Sequence, residues 1–473
     1  MKEYDVLVVG SGAGGSIASM AIRAGLRTAL VDRGPLGGTC VNTGCIPSKM
    51  LIYPADVIES LRRAENLGVT TGQLSIRFRD IMERMREARA RNSNYTRSWI
   101  ERNSRGLDFY EGEGRFLDDH VMEVNGRSMQ AEKIFLCTGA RPAIPPVEGL
   151  DRVPYLTNES VLELDSPPAD LAIIGGGYIA TEYAHFFAAM GTKVTVVQRN
   201  RFLIPDEEEE ISLALADTLG ERMTVLTGTE VSSIGTGGGK IHVHGHNTGT
   251  GEDVDVQAGT VMVATGRRSN ADTLGLENTG IDTDRGGYIL TNVYLETSVE
   301  NIWAVGDANG RQMFRHTANR EASVAWHNAT NPEKTAMDYG AIPHAVYSYP
   351  QVASVGLSEK AARKDHQVLV GKAYYRDIAK GEAMGEEMGF AKVIADKDTG
   401  HILGFHIIGP EAPILIQEVV NTMNRGDTIE ALSAIHIHPS LSEIVPAALR
   451  HLSEEERLYS EKRGPAVTKN SST

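Results

Sequence analysis

Cysteine is scarce in this chain: Cys40, Cys45 and Cys137 are the only three in 473 residues. Three thiols cannot form a disulfide framework, and a close pair among so few points to a catalytic or metal role. Positive charge is not in excess either. A formal net charge of −15 argues against nucleic acid or an anionic membrane as a general partner. No uninterrupted apolar run reaches the ~18 residues of a membrane-spanning helix. The opening MKEYDVLVVGSG enters a strand directly, without the n-region and cleavage site of a signal peptide, so a cytoplasmic location is expected. Short-period repeats and low-complexity tracts are missing as well. What remains is an ordinary globular composition, 41% hydrophobic and 23% charged. The length suits about three domains.

The first motif is a nucleotide loop. YDVLVVG reads as a buried apolar strand, SGAGGSIASMAIRAG as a helix and RTALVD as a second strand. Gly10, Gly12 and Gly15 give G-x-G-x-x-G between strand and helix, and Asp32 ends the second strand. That context makes the pattern a dinucleotide fingerprint. The first glycine allows the turn, the second admits a pyrophosphate, the third allows helix–strand packing, and Asp32 can accept from ribose hydroxyls. The pyrophosphate would rest on the helix N-terminus.

The pattern recurs in ADLAIIGGGYIATEYAHFFAAMGTKVTVVQR, with Gly175, Gly177 and Ala180 at the small positions. Here Gln198 replaces the acid and Arg199 and Arg201 follow, which suits a 2′-phosphate and so NADPH over NADH. The alternative is that both arginines only balance the acidic run at 206–210. Residues 50–110 read largely as helix, and KIFLCTGARP and TVMVATGRRSN as strands ending in a TG turn. Cys137 sits within the first of these and reads as an inert core thiol. From about residue 345 the pattern becomes a separate α+β unit.

Cys40 and Cys45 lie in GGTCVNTGCIPSK, residues 37–49. A zinc site would need four ligands, and no further cysteine or Cys/His cluster at zinc spacing accompanies the pair, so no metal is assigned. Two inert thiols would not require the surrounding glycines and threonines. An exchanging pair fits best: one helical turn between them would bring the sulfurs within reach. The following IPSKMLIYPADVIESL continues as helix, whose N-terminus, with Lys49, would favour a thiolate. A proton carrier for such a pair is offered by HIHPSLSEIV, through His436 or through His438 with Glu443 five residues on.

In this order the motifs resemble the class I pyridine nucleotide–disulfide oxidoreductases, the flavoenzyme family of the glutathione reductase, dihydrolipoamide dehydrogenase and mercuric reductase type. The resemblance runs over roughly residues 4–452 and includes AVGDANG and YPQVASVGLSE. It implies an α/β fold with two Rossmann-like, three-layer nucleotide-binding domains and a C-terminal α+β dimerisation domain. The expected division is an FAD-binding domain at 1–152 and 275–342, an NAD(P)-binding domain at 153–274, a dimerisation domain at 343–455 and a flexible tail at 456–473.

Site residues follow from the same resemblance. FAD, one per subunit, would lie on Gly10, Gly12, Gly15, Asp32, Gly38, Thr39, Gly114, Thr138, Gly139, Gly266, Arg267, Gly306, Asp307 and Ala318. The nicotinamide nucleotide would lie on Gly175, Gly176, Gly177, Tyr178, Ile179, Ala180, Gln198, Arg199 and Arg201, with Tyr178 as an aromatic gate. Lys49 and Glu182 match a pair beside the flavin. Cys45 matches the flavin-proximal thiol and Cys40 the thiol that attacks substrate. His438 and Glu443 match a dyad supplied by the partner subunit, which implies a homodimer with shared active sites.

The implied reaction passes electrons from NAD(P)H through the flavin and the thiol pair to a small disulfide, or in reverse from a dithiol to NAD+. Within the family, TEYAHFFAAMG, HTANREASVAWHN and AKGEAMGEEMGFAKVI resemble members that reduce mycothione or bis-γ-glutamylcystine. Met20 and Ala21 stand where glutathione reductases place arginines. Mercuric reductases carry a C-terminal cysteine pair not found in this sequence. Dihydrolipoamide dehydrogenase is the alternative reading, although Gln198 replaces the acid usual there. A flavin-binding scaffold with a vestigial disulfide is a further one. Candidates for the substrate pocket are Arg91, Tyr95 and Trp99.

Overall fold

Residues 1–70 and 72–453 are described by the computed structural model, so the tail expected from 456 lies outside the described residues. The chain forms two units. One comprises residues 1–204, 219–342 and 346–349, and the other 205–218, 343–345 and, of the described residues, 350–453.

In the first unit, the second half of β1 (Lys2–Val9), Val6–Val9, is a continuous apolar run because both of its faces are covered. Val6 and Val8 pack with Ile17, Ala18 and Ala21 of α1 (Gly14–Arg23), while Leu7 and Val9 face a second core with Phe116, Met122 and Ile134. It pairs in parallel with β2 (Thr28–Asp32). The remaining strands are β3 (Leu107–Glu111), β4 (Gly114–Asp118), β5 (Val121–Val124) and β6 (Arg127–Leu136). They lie in the order β3-β2-β1-β6-β5-β4, and strand Ile302–Ala304 returns to pair in parallel with β6. Phe135 stacks on Trp303 across that last pairing at 5.0 Å. Strand order reverses between β1 and β6, the crevice in which ligands bind in open α/β sheets.

The expected helical region resolves into α2 (Gly38–Asn42), α3 (Cys45–Arg63) and α4 (Phe78–Arg102). A second parallel sheet runs in the order Thr224–Leu226, Lys193–Val197, Asp170–Ile174, Thr260–Val263, Tyr155–Leu156, with α5 (Tyr178–Ala189) after its central strand. Its order also reverses beside the glycine loop, between Asp170–Ile174 and Thr260–Val263. An antiparallel ribbon of Thr229–Gly237, Lys240–Asn247 and Asp253–Ala258 shares the core of this sheet.

The second unit holds antiparallel strands in the order Val352–Gly356, Ile402–Ile408, Phe390–Asp396, Val368–Tyr374. Segment Pro205–Thr218 joins this unit, a membership that the local pattern does not announce. The cause is charge. Lys392, 4% exposed, is surrounded by Glu208 (2.8 Å), Glu210 (2.9 Å) and Glu359 (2.6 Å). Burial alone would lower its pKa, but the carboxylates outweigh burial and raise it. No described helix is long and apolar enough to cross a membrane.

Candidate active site

The first glycine loop turns at Gly10, where φ is +102° and a Cβ would stand 2.3 Å from the Cys137 carbonyl oxygen. The helix-packing role expected of Gly15 belongs to Gly14 instead. A Cβ on Gly14 would meet Val8 Cγ1 at 2.6 Å, whereas one on Gly15 would meet nothing within 4 Å. Gly15 therefore borders open space, as a cradle for a ligand does, while Gly14 lets α1 approach the sheet. Gly38 lies against this loop, its Cβ position 2.8 Å from Gly12 Cα. Asp32 is already engaged: Oδ2 accepts from the Ser11 N–H and Oδ1 from the Gly34 N–H, both at 2.6 Å. Further lone pairs on both oxygens stay available.

Around the loop, Thr138 Oγ1 is buried without a partner, while Asn270 Nδ2 donates to the Thr138 carbonyl (2.8 Å). Arg267 Nε lies 3.3 Å from Asp307 Oδ2. Burial pushes the Asp307 carboxyl up and Arg267 opposes that rise. Gly306 packs on Ala318, and Gly114 packs on Met122, so their small size serves the protein's own packing. Gly139 and Gly266 lie beyond the strand ends at 136 and 263, and Thr39 lies within α2. The orphaned hydroxyl, the open cradle at Gly15 and the N-terminus of α1 fit a dinucleotide such as FAD.

Two residues here escaped the sequence reading. Glu321, fully buried, accepts from the Gly306 N–H (2.6 Å), Asn309 Nδ2 (3.1 Å) and the Tyr339 hydroxyl (2.6 Å), and so holds the Gly306–Asp307 turn. Arg315 brings Nη1 to 3.9 Å from the Cβ position of Gly12 and lowers the Cys40 pKa electrostatically. Neither belongs to a spaced motif, so no sequence signal marks them.

The second loop repeats the turn at Gly175, with φ +117° and a Cβ position 2.3 Å from the Ala264 carbonyl oxygen. Gly177 caps α5 and borders open space. Gln198 is buried, packs on Gly176 and donates to the Phe202 carbonyl (3.3 Å). Tyr178, Ile179 and Ala180 open α5, and Tyr178 stacks on Phe314 at 5.9 Å. Arg199 and Arg201 are exposed and form no ion pair among the described residues. The acidic run has its own partners: Glu207 pairs with His344 (2.8 Å), and Glu208 and Glu210 with Lys392. Three of the five acids in the run thus have partners other than the arginines.

Cys40 and Cys45 stand on separate helices rather than on the single turn expected. Helix α2 ends at Thr43, and α3 starts afresh at Cys45 after Gly44. The two thiols still act on each other and are shifted in opposite directions. Cys45 is pulled down to about 6, first by the hydrogen bond from Cys40, then by Lys49 and its own backbone N–H, against burial and Glu182. Cys40 is raised by the bond to Cys45 and by burial. Of the two, Cys45 is the thiol whose surroundings, Lys49 above all the charges, favour a thiolate. Lys49 Nζ bonds both oxygens of buried Glu182 at 2.8 Å and lies 4.6 Å from the centre of the Tyr347 ring, while the Tyr347 N–H donates to Glu182 (3.0 Å). Cys137 is a buried thiol raised by desolvation, as expected of a core cysteine.

Beside the thiols, Thr96 of α4 comes within 3.3 Å of the Gly37 Cβ position. Tyr95 is exposed, Arg91 pairs with Glu87 (3.6 Å), and Trp99 instead packs against the core of the first sheet.

In the second unit, His438 Nδ1 is 2.9 Å from Glu443 Oε1, and Glu443 Oε2 accepts from the Ser440 N–H (3.0 Å). That N–H, followed by His438, holds the Glu443 carboxyl below its ordinary value. The His438 ring is exposed. His436 is tied at both nitrogens, to Ala434 O (2.7 Å) and Glu418 (3.1 Å), and so is not the free imidazole.

Comparison with known proteins supplies the context. A family profile described as pyridine nucleotide-disulphide oxidoreductase matches residues 4–322, and its dimerisation domain matches residues 342–449. A dihydrolipoyl dehydrogenase of Chlamydia muridarum is 33% identical over 452 residues, covering 94% of this chain and 95% of that protein. A mycothione reductase of Mycobacterium tuberculosis is 32% identical over 469 residues, covering 95% and 99%. The solved structure of the HOCl-induced flavoprotein disulfide reductase RclA from Escherichia coli superimposes with a TM-score of 0.84 at 27% identity, covering 94% of this chain and 99% of that one. On the strength of a match that takes in both glycine loops, the thiol pair and the His438–Glu443 segment, this chain belongs to the pyridine nucleotide-disulphide oxidoreductase family.

Proposed function

We propose that the protein is an NADPH-dependent reductase of a low-molecular-weight disulfide. The observation that carries this reading is the thiol pair Cys40 and Cys45 beside the Lys49–Glu182 ion pair, with Lys49 favouring a thiolate at Cys45. The first loop with Asp32, Thr138, Arg267 and Asp307 would hold FAD, which when bound would supply a two-electron relay between the nicotinamide and the thiol pair. Reduction opens the Cys40–Cys45 disulfide, with the proton on Cys40 and the negative charge on Cys45. Cys40 must then lose its proton to attack a substrate disulfide. Its sulfur bonds one substrate sulfur, and the other leaves as a thiolate. Cys45 next attacks the mixed disulfide, releasing the second thiol and closing Cys40–Cys45. Two electrons enter from the nucleotide and two leave in the product thiols.

The base and acid for these steps is the His438–Glu443 dyad of a second copy of the chain. Exposed Ile435 (103%) and Ile437 (80%) alternate with His436 and His438, an apolar edge that pairing in a homodimer would cover. Preference for NADPH is supported by Gln198 in place of an acid and by two exposed, unpaired arginines. A domain division into 1–152 with 275–342, 153–274 and 343–455 accompanies this reading. The mycothione reductase similarity over nearly the full length supports a small disulfide as substrate. A second reading, oxidation of dihydrolipoamide with NAD+, is favoured by the dihydrolipoyl dehydrogenase relatives.

Anaerobic NADPH titration tests the thiol chemistry. A long-wavelength absorption from the Cys45 thiolate beside the flavin is expected at two electrons per subunit and is expected to be lost in Cys45→Ser. A steady-state panel of mycothione, bis-γ-glutamylcystine, glutathione disulfide, CoA disulfide and lipoamide, each with NADPH and NADH, then names the substrate. Activity on lipoamide with NADH alone would replace the first reading by the second.

A further inference from the structure

Strand Lys240–Asn247, in the middle of the antiparallel ribbon, carries the run IHVHGHN, which no nucleotide or thiol motif uses. Ile241 and Val243 point into the core shared with the second sheet. Strand alternation then places His242, His244 and His246 on the outer face. Asp255 lies directly opposite His244 on the neighbouring strand. Ligand atoms of His242, His244 and Asp255 all fall within 4.8 Å of one another.

The detail of that cluster points to a cation. Asp255 Oδ2 lies 3.1 Å from His242 Nδ1, and Oδ1 lies 3.2 Å from His244 Nδ1. His242 Nε2 lies 3.3 Å from the Gly237 carbonyl oxygen. A carbonyl only accepts, so Nε2 carries the proton, and a neutral ring then aims its Nδ1 lone pair at a carboxylate oxygen. Lone pair against anion is repulsive unless positive charge stands between them. That charge is supplied by a proton on His242, with His244 donating from a neutral Nδ1–H, or by a metal ion shared with the second ring, which stands near-parallel at 5.8 Å. A divalent ion satisfies all three groups together. Measured to the one oxygen Oδ1, the spacings are 3.3 Å from His242 Nδ1 and 3.2 Å from His244 Nδ1, close to the ~3.3 Å edge of a tetrahedron with ~2.0–2.1 Å metal–ligand bonds. An Nε2–H anchored on a carbonyl is also the outer bond that a ligating imidazole ordinarily makes.

We propose that His242, His244 and Asp255 form a surface site for a late first-row divalent ion, Zn2+ or more tightly Cu2+, with water completing the coordination. Sequence reading centred on cysteine overlooks it, because the third ligand arrives from another strand.

Calorimetric titration of the oxidised, flavin-loaded protein with Zn2+ tests the site, the closed disulfide keeping thiolates from competing. One ion per subunit is expected, bound at least about tenfold more weakly in His244→Gln and in Asp255→Asn. In the double variant His242→Gln/His244→Gln the site should be gone. Zn2+ should raise the melting temperature of the wild type but not of the double variant, whose flavin content and metal-free melting temperature match the wild type. Cu2+ bound to the wild type should show hyperfine coupling to two imidazole nitrogens by electron paramagnetic resonance. Absence of a stoichiometric site, undiminished binding in the double variant, or a wild-type Cu2+ spectrum without imidazole coupling overturns the assignment.

Discussion

Gly10 and Gly175 occupy the same corner of their respective sheets, each with a Cβ position 2.3 Å from a carbonyl oxygen, that of Cys137 in one loop and Ala264 in the other. From that shared turn the loops diverge. In the first, Asp32 is drawn into the loop by the N–H groups of Ser11 and Gly34, and Gly14 brings the helix onto the sheet. In the second, Ile179 stands where Gly14 does, Gln198 folds onto Gly176, and Arg199 and Arg201 remain exposed. In the proposed reading the common backbone would serve what two dinucleotides share, the pyrophosphate, while the end of the second strand would read the ribose, in which they differ. Only the first loop adjoins the thiol pair, through Gly38 against Gly12.

Substituting the turn glycines breaks the comparison most severely. Gly10→Ala and Gly175→Ala each combine a clash with a φ near +100°, and each should cost about 3 kcal/mol or more locally. Gly10→Ala should purify without yellow flavin. Gly175→Ala should keep its flavin spectrum yet resist bleaching by NADPH. Equal flavin loss in both would mean that the loops do not divide the two nucleotides.

Next in size is the ribose end of the second loop. Arg199→Ala/Arg201→Ala should lower kcat/KM for NADPH by roughly 10–100-fold, as expected for lost charge-assisted bonds, with NADH kinetics little changed. Gln198→Glu should move the preference the same way.

A smaller effect separates the two adjacent glycines of α1. Gly14→Ala should destabilise the flavin-free protein by about 1–3 kcal/mol through overpacking against Val8. Gly15→Ala should leave flavin-free stability unchanged or raise it by up to ~1 kcal/mol, because alanine favours helix, while weakening flavin retention. Thermal melts with and without FAD would distinguish them.

The smallest expected change concerns the thiol beside the first loop. In the reduced protein the ultraviolet thiolate absorbance should be present above pH about 6 and fade as pH falls through that value, since the lowered Cys45 pKa keeps the group ionised until then. Lys49→Met should move the midpoint upward. A midpoint unmoved by that change would remove Lys49 from the causes of the low pKa.

Much of the site could be read in one dimension because its motifs are local. Gly10 to Asp32, Cys40 to Lys49 and His438 to Glu443 are each set by short spacings that turns, helix starts and a capping loop impose directly. The helix break between Cys40 and Cys45 could not be read, because Gly44 interrupts a pattern that spacing alone would carry through. Glu321 looks like any helix-surface acid until the Gly306 turn arrives to be held.

The sequence by itself determined the two strand–glycine–helix units and the closeness of Cys40 to Cys45 and of His438 to Glu443, since each follows from short-range backbone geometry, while the roles of those residues came from the family resemblance. Tertiary structure alone decided that Gly14, not Gly15, serves packing, that Lys49 and Arg315 act on the two thiols, and that Pro205–Thr218 joins the second unit. It also decided that His242 and His244 meet Asp255. Close packing, the action of charge on a thiol and the neutralisation of buried or converging charge depend on atoms that folding brings together from distant parts of the chain.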